Sequence, residues 1–342
     1  MTKRVALLAH EGFPDRAKTA VGVLRYADYD VVAVLDREIA EADPDARVAD
    51  YLDGVQDAPI VGRTDEAPEF DALVIGIAPI GGGLDESWRP DIEAALDRGA
   101  DVISGLHYFL SEDADLARRA EANGCDLWDV RNPPSDLTVA EGVARELDAR
   151  IVLTVGTDCS TGKMTTTREL YEAAREQGID AAFIPTGQTG IMIENWGIPI
   201  DRTVSDFTAG AVERMCVERA AEADVLFVEG QGSIIHPAYS AVTCGILHGA
   251  QPDALVMCHE AGREAIHGYE EYPIPDPAHV AGLYEQLAEP VAPTEVVGGA
   301  LNTRSLGDGE ARRAIQAYAE TIDAPAVDPV RGDAGDLLES IL

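Results

Sequence analysis

The chain has 342 residues, too many for one ordinary core and enough for two α/β domains. Its formal net charge of −36 excludes the basic surface that nucleic-acid binding requires. No apolar run approaches the ~20 residues of a membrane span, and Met1-Thr2-Lys3-Arg4 enters a strand without a signal-peptide core, so a soluble cytoplasmic protein is expected.

The first half alternates strand and helix patterns. Val5–Ala9 is a short apolar strand, followed by the loop His10–Pro14, which carries on past Lys18, and a helix over Thr19–Tyr26. Val31–Leu35 is a strand ending at Asp36, and Ala72–Ile77 is another, closed by the turn Ala78–Gly83. Asp91–Arg98 reads as a helix, Val102–Ser104 as a strand, Asp113–Asn123 as a helix stopped by Gly124, and Asp126–Val130 as the last strand. Strands separated by helices imply a parallel, doubly wound sheet, here a Rossmann-like domain over residues 1–135. Ligands of such sheets sit beyond the strand C-termini. That rule groups Lys18, Asp36, the Gly81–Gly83 turn and His107. Pro133-Pro134 then breaks the pattern, and residues 136–149 read as a linker with a helix-like stretch at Val139–Asp148.

The second domain, 150–342, opens on the apolar strand Ile151–Val155. Next comes Gly156-Thr157-Asp158-Cys159-Ser160-Thr161-Gly162-Lys163-Met164-Thr165-Thr166, running into a helix that reaches about Gln177. Strand, glycines, lysine and a hydroxyl-rich helix start are the context of a phosphate-binding P-loop. Glycines let the backbone curl so that successive N–H groups point inward, the helix N-terminus favours an anion, and Lys163 adds a mobile ammonium. Further strands follow at Ala181–Ile184, Val225–Glu229, Ala254–Cys258 and Glu295–Ala300. The fold class expected is therefore α/β: a Rossmann-like domain joined to a P-loop NTPase-like domain with a parallel sheet.

The loop departs from the usual motif in two ways. Five residues instead of four separate Gly156 from Gly162, and this Gly-Thr-Asp opening resembles the loop of dethiobiotin synthetase. The residue after the lysine is Met164, where a Ser or Thr hydroxyl ordinarily holds Mg²⁺. A thioether is a poor ligand for so hard a cation. The metal content is left open, and binding a phosphorylated cofactor is easier to defend than cleaving ATP.

Only three of the 26 basic residues are lysines: Lys3, Lys18 and Lys163. A surface rich in Asp and Glu and nearly free of Lys suits a high-salt, halophilic setting, where salt screens self-repulsion. In such a chain Lys18 is a candidate functional residue. The five cysteines are odd in number and lack CxxC spacing, which argues against a disulfide framework and a structural zinc site. Glu229, ending a buried strand before Gly230-Gln231-Gly232, is placed to act as a general base or to hold a metal-bound water, with a structural hydrogen bond to the P-loop backbone as its plain alternative. His236 is the alternative proton carrier. Thr186, Gly187, Gln188 and Thr189 follow the domain's second strand and should face the site. Asp206 is a further acid, with helix N-capping as its plain alternative. Asn302-Thr303, after the Glu295–Ala300 strand, is a candidate contact for a nucleotide base or adenosine.

These segments line up with one family. Lys18-Thr19-Ala20 with Leu24-Arg25-Tyr26, Gly105-Leu106-His107, Asp129-Val130-Arg131, the Gly156–Lys163 loop with Met164-Thr165, Thr186–Gly190 with Ile191-Met192, Asp206-Phe207, Val228–Ser233 with His236-Pro237, and Asp328-Pro329-Val330 together resemble the DUF1611, or D-glutamate N-acetyltransferase, family. Met164 belongs to that pattern. The resemblance implies a Rossmann-like domain, a P-loop domain, and acetyl transfer from acetyl-CoA to the amine of D-glutamate. The acidic D-amino acid is the small-molecule substrate so implied. Lys18, Arg25 and Arg131 are then the cations available for its carboxylates, and Glu229 or His236 the base. The assembly expected is a homo-oligomer with no nucleic-acid or membrane partner. The rival readings are an ATP- and Mg²⁺-dependent ligase like dethiobiotin synthetase and a non-enzymatic nucleotide switch.

Overall fold

The computed structural model describes residues 2–79 and 81–342. Met1, and Ile80 within the Ala78–Gly83 turn, lie outside the described residues. The chain forms two compact units. One holds the residues up to Pro133 together with Gln188–Arg202, the other Pro134–Gly187 with Thr203–Leu342.

The first unit runs β1 (Arg4–Leu8), α1 (Lys18–Tyr26), β2 (Asp30–Leu35), α2 (Arg37–Ala42), β3 (Ile60–Val61), β4 (Ala72–Ile75), α3 (Arg89–Asp97), β5 (Asp101–Ser104), α4 (Ala114–Asn123) and β6 (Leu127–Asp129). All six strands are parallel, in the order β3-β2-β1-β4-β5-β6 of a doubly wound Rossmann sheet. The strands read as continuous apolar runs because helices cover both faces; Val5 to Leu8 are fully buried. α2 and α4 start at side-chain caps. Asp113 accepts from the N–H groups of Asp115 and Leu116, and Gly124 ends α4 in the left-handed region at φ 70°. Asp36 caps α2 through Ile39 N–H and also accepts from Gly12 and Phe13 N–H, so this buried carboxylate holds the loop after β1. Lys18, read from the sequence as a loop residue, is the first residue of α1.

The second unit runs β7 (Arg150–Gly156), α5 (Lys163–Glu176) and β8 (Ala181–Ile184). The next helix, α6 (Gln188–Glu194), belongs to the first unit. The second unit resumes with α7 (Thr208–Ala220), β9 (Val225–Val228), α8 (Ser240–Ala250), β10 (Ala254–Glu260), β11 (Ala265–Ile266), β12 (Tyr269–Pro273), α9 (Pro277–Ala288), β13 (Val296–Asn302), α10 (Asp308–Ile322), β14 (Ala326–Val327) and α11 (Leu338–Ile341). Its main sheet is parallel, in the order β14-β13-β10-β7-β9-β8, while β11 and β12 form a separate antiparallel hairpin. The core packs Val152, Leu170, Phe227 and Val256 against Leu337 and Ile341.

Two expectations need correction. The Val139–Asp148 stretch is not a helix; only Ala144–Glu146 forms a 3-10 turn. The N–H groups of Glu141 and Val143 donate to the Glu213 carboxylate and that of Arg145 to Gln251, so side chains take the bonds a helix would have used. Asp206 caps no helix; it lies exposed in the 3-10 turn Ser205–Phe207, and the residue before α7 is Phe207. Among the described residues, no helix is long and apolar enough to cross a membrane.

Candidate functional site

β7 is central in its sheet, with β10 and β9 as neighbours. The loops leaving all three strands at their C-terminal ends therefore converge on Gly156–Gly162. Ser160 (φ 56°) and Gly162 (φ 104°) take the left-handed conformation that curls the loop before α5 begins at Lys163. The Lys163 ammonium donates to Asp158 O (2.7 Å) and lies within the loop, only 6 % exposed. A Cβ at Gly156 would stand 3.2 Å from Lys163 Nζ and 2.8 Å from Thr161 Oγ1, so the cradle needs glycine there. At the helix start Thr167 Oγ1 donates to Lys163 O, and its hydroxyl meets that of Thr154 (2.8 Å); Thr166 Oγ1 lies against Cys258 Sγ. Met164 and Thr165 are half-buried in the first turn of α5.

Asp158 is the buried anion at the heart of the loop. Its Oδ1 accepts from Cys159 N–H (2.6 Å), and its Oδ2 from Arg263 Nη1 (3.1 Å) and His267 N–H (2.8 Å). The segment after β10 thus grips the P-loop through one carboxylate. Thr157 Oγ1 meets His259 Nδ1 at 2.8 Å; burial, aided by Arg263, pushes the His259 imidazole down to about 4. Tyr284, wholly buried, donates to Gly156 O (2.8 Å) and receives Ile234 N–H, and burial pushes its phenol up to about 12. Arg263, His267, His259 and Tyr284 escaped the sequence reading. A histidine near the end of β10 and an arginine and a histidine just past it were the available signal.

His236 Nε2 stands 4.0 Å from Asp158 Oδ1, and the ring is 1 % exposed. Burial lowers its pKa; Asp158 opposes this, and Lys163 and His267 add to it. Nδ1 accepts the Ala238 N–H (3.1 Å), which puts the proton of the neutral ring on Nε2. One donor atom each of Asp158, Cys159 and His236 lies within 4.8 Å of the others, a spacing that invites a metal ion. The tautomer opposes it, because a protonated Nε2 has no lone pair to give.

β9 delivers Glu229 beside the loop. Its Oε2 accepts from both Thr186 N–H and Gly187 N–H at 3.1 Å, while Thr186 Oγ1 donates to Glu229 O. Gln231 Nε2 donates to Thr186 O, tying the loop after β8 to the loop after β9. Gly230 is obligatory, since a Cβ there would fall 1.8 Å from Thr154 O. In this unit the fold brings together Gly156–Thr166, Thr186, Gly187, Glu229 and His236.

The remaining candidates lie in the first unit. Lys18 is exposed at the start of α1, and Arg25 sits in its last turn. Gln188 and Thr189 are buried in α6, where Thr189 Oγ1 meets Thr19 Oγ1 at 2.8 Å. Arg131 is buried, donates through Nε to Gly105 O (2.6 Å) and pairs with Asp201. His107 is 3.9 Å from Asp201, and its N–H donates to Gly82 O, so it does join the Gly-rich turn; Asp36 is turned inward on its own loop. In the second unit Asn302 Oδ1 is used locally, accepting from Arg304 N–H.

Residues 138–338 match the model "Domain of unknown function (DUF1611_C) P-loop domain", and residues 41–133 match "Domain of unknown function (DUF1611_N) Rossmann-like domain". A D-glutamate N-acetyltransferase of Tritonibacter scottomollicae is 39% identical over 270 residues, covering 79% of this chain and 80% of that protein. One from a Pseudoalteromonas species is 36% identical over the same shares. The crystal structure of a DUF1611 family protein from Anabaena variabilis superposes with a TM-score of 0.94 at 39% identity, covering 99% of each chain.

Proposed function

We propose that this chain, which belongs to the DUF1611 family and is an N-acetyltransferase, moves the acetyl group of acetyl-CoA to the amine of D-glutamate. The observation that carries the reading is the identity to D-glutamate N-acetyltransferases over four-fifths of their length. The loop chemistry agrees with it. A cradle with glycine, inward N–H groups and Lys163 fits the phosphates of a CoA thioester, and Met164 stands where a nucleotide hydrolase would keep a magnesium ligand.

In the reaction the amine nitrogen attacks the thioester carbonyl, the C–S bond breaks, and CoA leaves as the thiol. Ammonium must first lose a proton. Glu229 is the base, since β9 brings its carboxylate beside the P-loop strand, whereas the Nε2 of neutral His236 already carries its proton. His236 is then a hydrogen-bond donor available to developing negative charge, with the N–H groups that follow Gly230 beside it, the Gly230 N–H itself being held by Thr154 Oγ1. Lys18, exposed at the start of α1, is a cation suited to a substrate carboxylate, whereas Arg131 is buried and already paired with Asp201.

The test is a thiol-release assay with acetyl-CoA and D-glutamate, with the product identified by mass. No CoA thiol with D-glutamate, but Mg²⁺-dependent ADP release from ATP, would replace this reading by the ligase one.

A further inference from the structure

We infer that the tyrosine cluster bordering the P-loop is the seat of the donor's adenine ring. Three tyrosines, Tyr239, Tyr269 and Tyr272, are 38–52 % exposed, although aromatic residues make up only 6% of the chain. They form one patch. Tyr239 and Tyr269 pack on the His236 ring at 4.6 and 5.2 Å, and Tyr272 meets Tyr269 at 6.2 Å. His236 in turn faces Asp158 of the loop at 4.0 Å. The patch is therefore continuous with the phosphate cradle.

The hairpin that carries two of these rings has no core of its own: every residue of β12 is exposed. It is fixed by buried Ile266 and by His267 N–H, which donates to Asp158. A two-stranded ribbon pinned to the P-loop at Asp158, with exposed rings on its surface, presents flat apolar faces joined to the loop through His236. Stacking on such rings suits a base. It offers nothing to a dicarboxylic amino acid. Charge sorts the ligand in the same sense. Glu270 and Glu271 stand exposed between the two tyrosines and repel phosphates, which leaves the phosphates to Lys163 and the loop and the neutral base to the hairpin.

This inference rests on the reading that the loop holds the phosphates of acetyl-CoA. The test is the double variant Tyr269→Ala/Tyr272→Ala beside Tyr269→Phe/Tyr272→Phe, with calorimetric binding of adenosine 3′,5′-bisphosphate and kinetics with acetyl-CoA and S-acetylpantetheine. The alanine variant should bind the bisphosphate about tenfold more weakly, the loss of one base–ring stack. Its preference for acetyl-CoA over S-acetylpantetheine, as the ratio of kcat/KM values, should fall by the same factor, and the phenylalanine variant should keep both. Wild-type-like bisphosphate binding, or an equal loss with both thioesters, would overturn the seat and leave the donor reading standing. If the wild type binds neither acetyl-CoA nor the bisphosphate, seat and donor reading fall together. A smaller oligomer with unchanged bisphosphate affinity would assign the tyrosines to a subunit interface and overturn the seat.

Discussion

Ala238 donates its backbone N–H to Nδ1 of His236 across 3.1 Å, leaving the ring proton on Nε2, the nitrogen that faces Asp158. A histidine held in that tautomer donates and cannot accept at Nε2. Glu229→Gln should therefore reduce kcat by about 100-fold or more, in the range of a lost general base, with little change in acetyl-CoA affinity. His236→Gln keeps an N–H donor and should cost less than about tenfold. Thermal unfolding must be followed in both, because Glu229 also anchors Thr186 and Gly187. A larger kcat loss in the His236 variant would move the base to that ring.

Lys163 is the cation of the cradle, buried against Asp158 O. Charge-assisted contacts are worth roughly 1.5–3 kcal/mol. Lys163→Ala should weaken acetyl-CoA binding at least about tenfold, measured by calorimetry, while circular dichroism stays that of the wild type. Unchanged affinity would remove phosphate binding from this loop.

The P-loop was legible because its signal is local: strand, glycine turn, lysine and helix follow one another within the stretch from Arg150 to Glu176. The alternation of strands likewise disclosed both sheets. What surrounds the loop was not legible. Arg263 and His267 reach Asp158 from 105 and 109 residues away, a pairing that the order β10-β7-β9 creates and no spacing announces. α6 was hidden for a different reason. It has seven residues and includes Gly190 and Thr189, so its own propensity is poor and burial of Ile191, Met192 and Ile193 stabilises it. The hairpin strand Tyr269–Pro273 shows no apolar alternation because both of its faces are wet.

Lys18 survives in a chain with three lysines and stands exposed at the start of α1. Lys18→Ala should raise the KM for D-glutamate by about tenfold, as expected for one lost charge-assisted contact, and leave acetyl-CoA binding near the wild-type value. Lys18→Arg should recover part of the loss. Wild-type kinetics in the alanine variant would mark the residue as a surface remnant.

Burial sets a pH limit through His259. Its folded pKa is about 4 against an ordinary 6.5. The unfolded chain therefore takes up a proton first as pH falls. Stability from this group is complete above about pH 6.5 and declines as the pH drops toward 4, by up to about 3 kcal/mol. Carboxylates titrate nearby, so the measurement is a difference. Between pH 7.5 and 5 the wild type should lose more unfolding free energy in urea than His259→Gln, whose amide can still meet Thr157. Parallel losses in the two proteins would contradict the buried neutral imidazole.

The reaction itself separates the acyl-transfer reading from the ligase one. A ligase must hold Mg²⁺ on the nucleotide, and the residue after the P-loop lysine is Met164, whose thioether is a poor ligand for it. Thioester aminolysis has no such need; it requires a base and donors for developing charge, the roles proposed above for Glu229 and His236. The surface, at a formal −36, is suited to strong screening, so the assay belongs in molar salt. There the purified protein should convert acetyl-CoA and D-glutamate to free CoA and N-acetyl-D-glutamate, and the rate should survive EDTA. ATP hydrolysis should stay at background with or without D-glutamate. Thiol release abolished by EDTA and restored by Mg²⁺ would make Thr165 a displaced metal ligand and Glu229 its partner. ADP release stimulated by D-glutamate, with no thiol appearing, would go further and assign the loop to phosphoryl transfer.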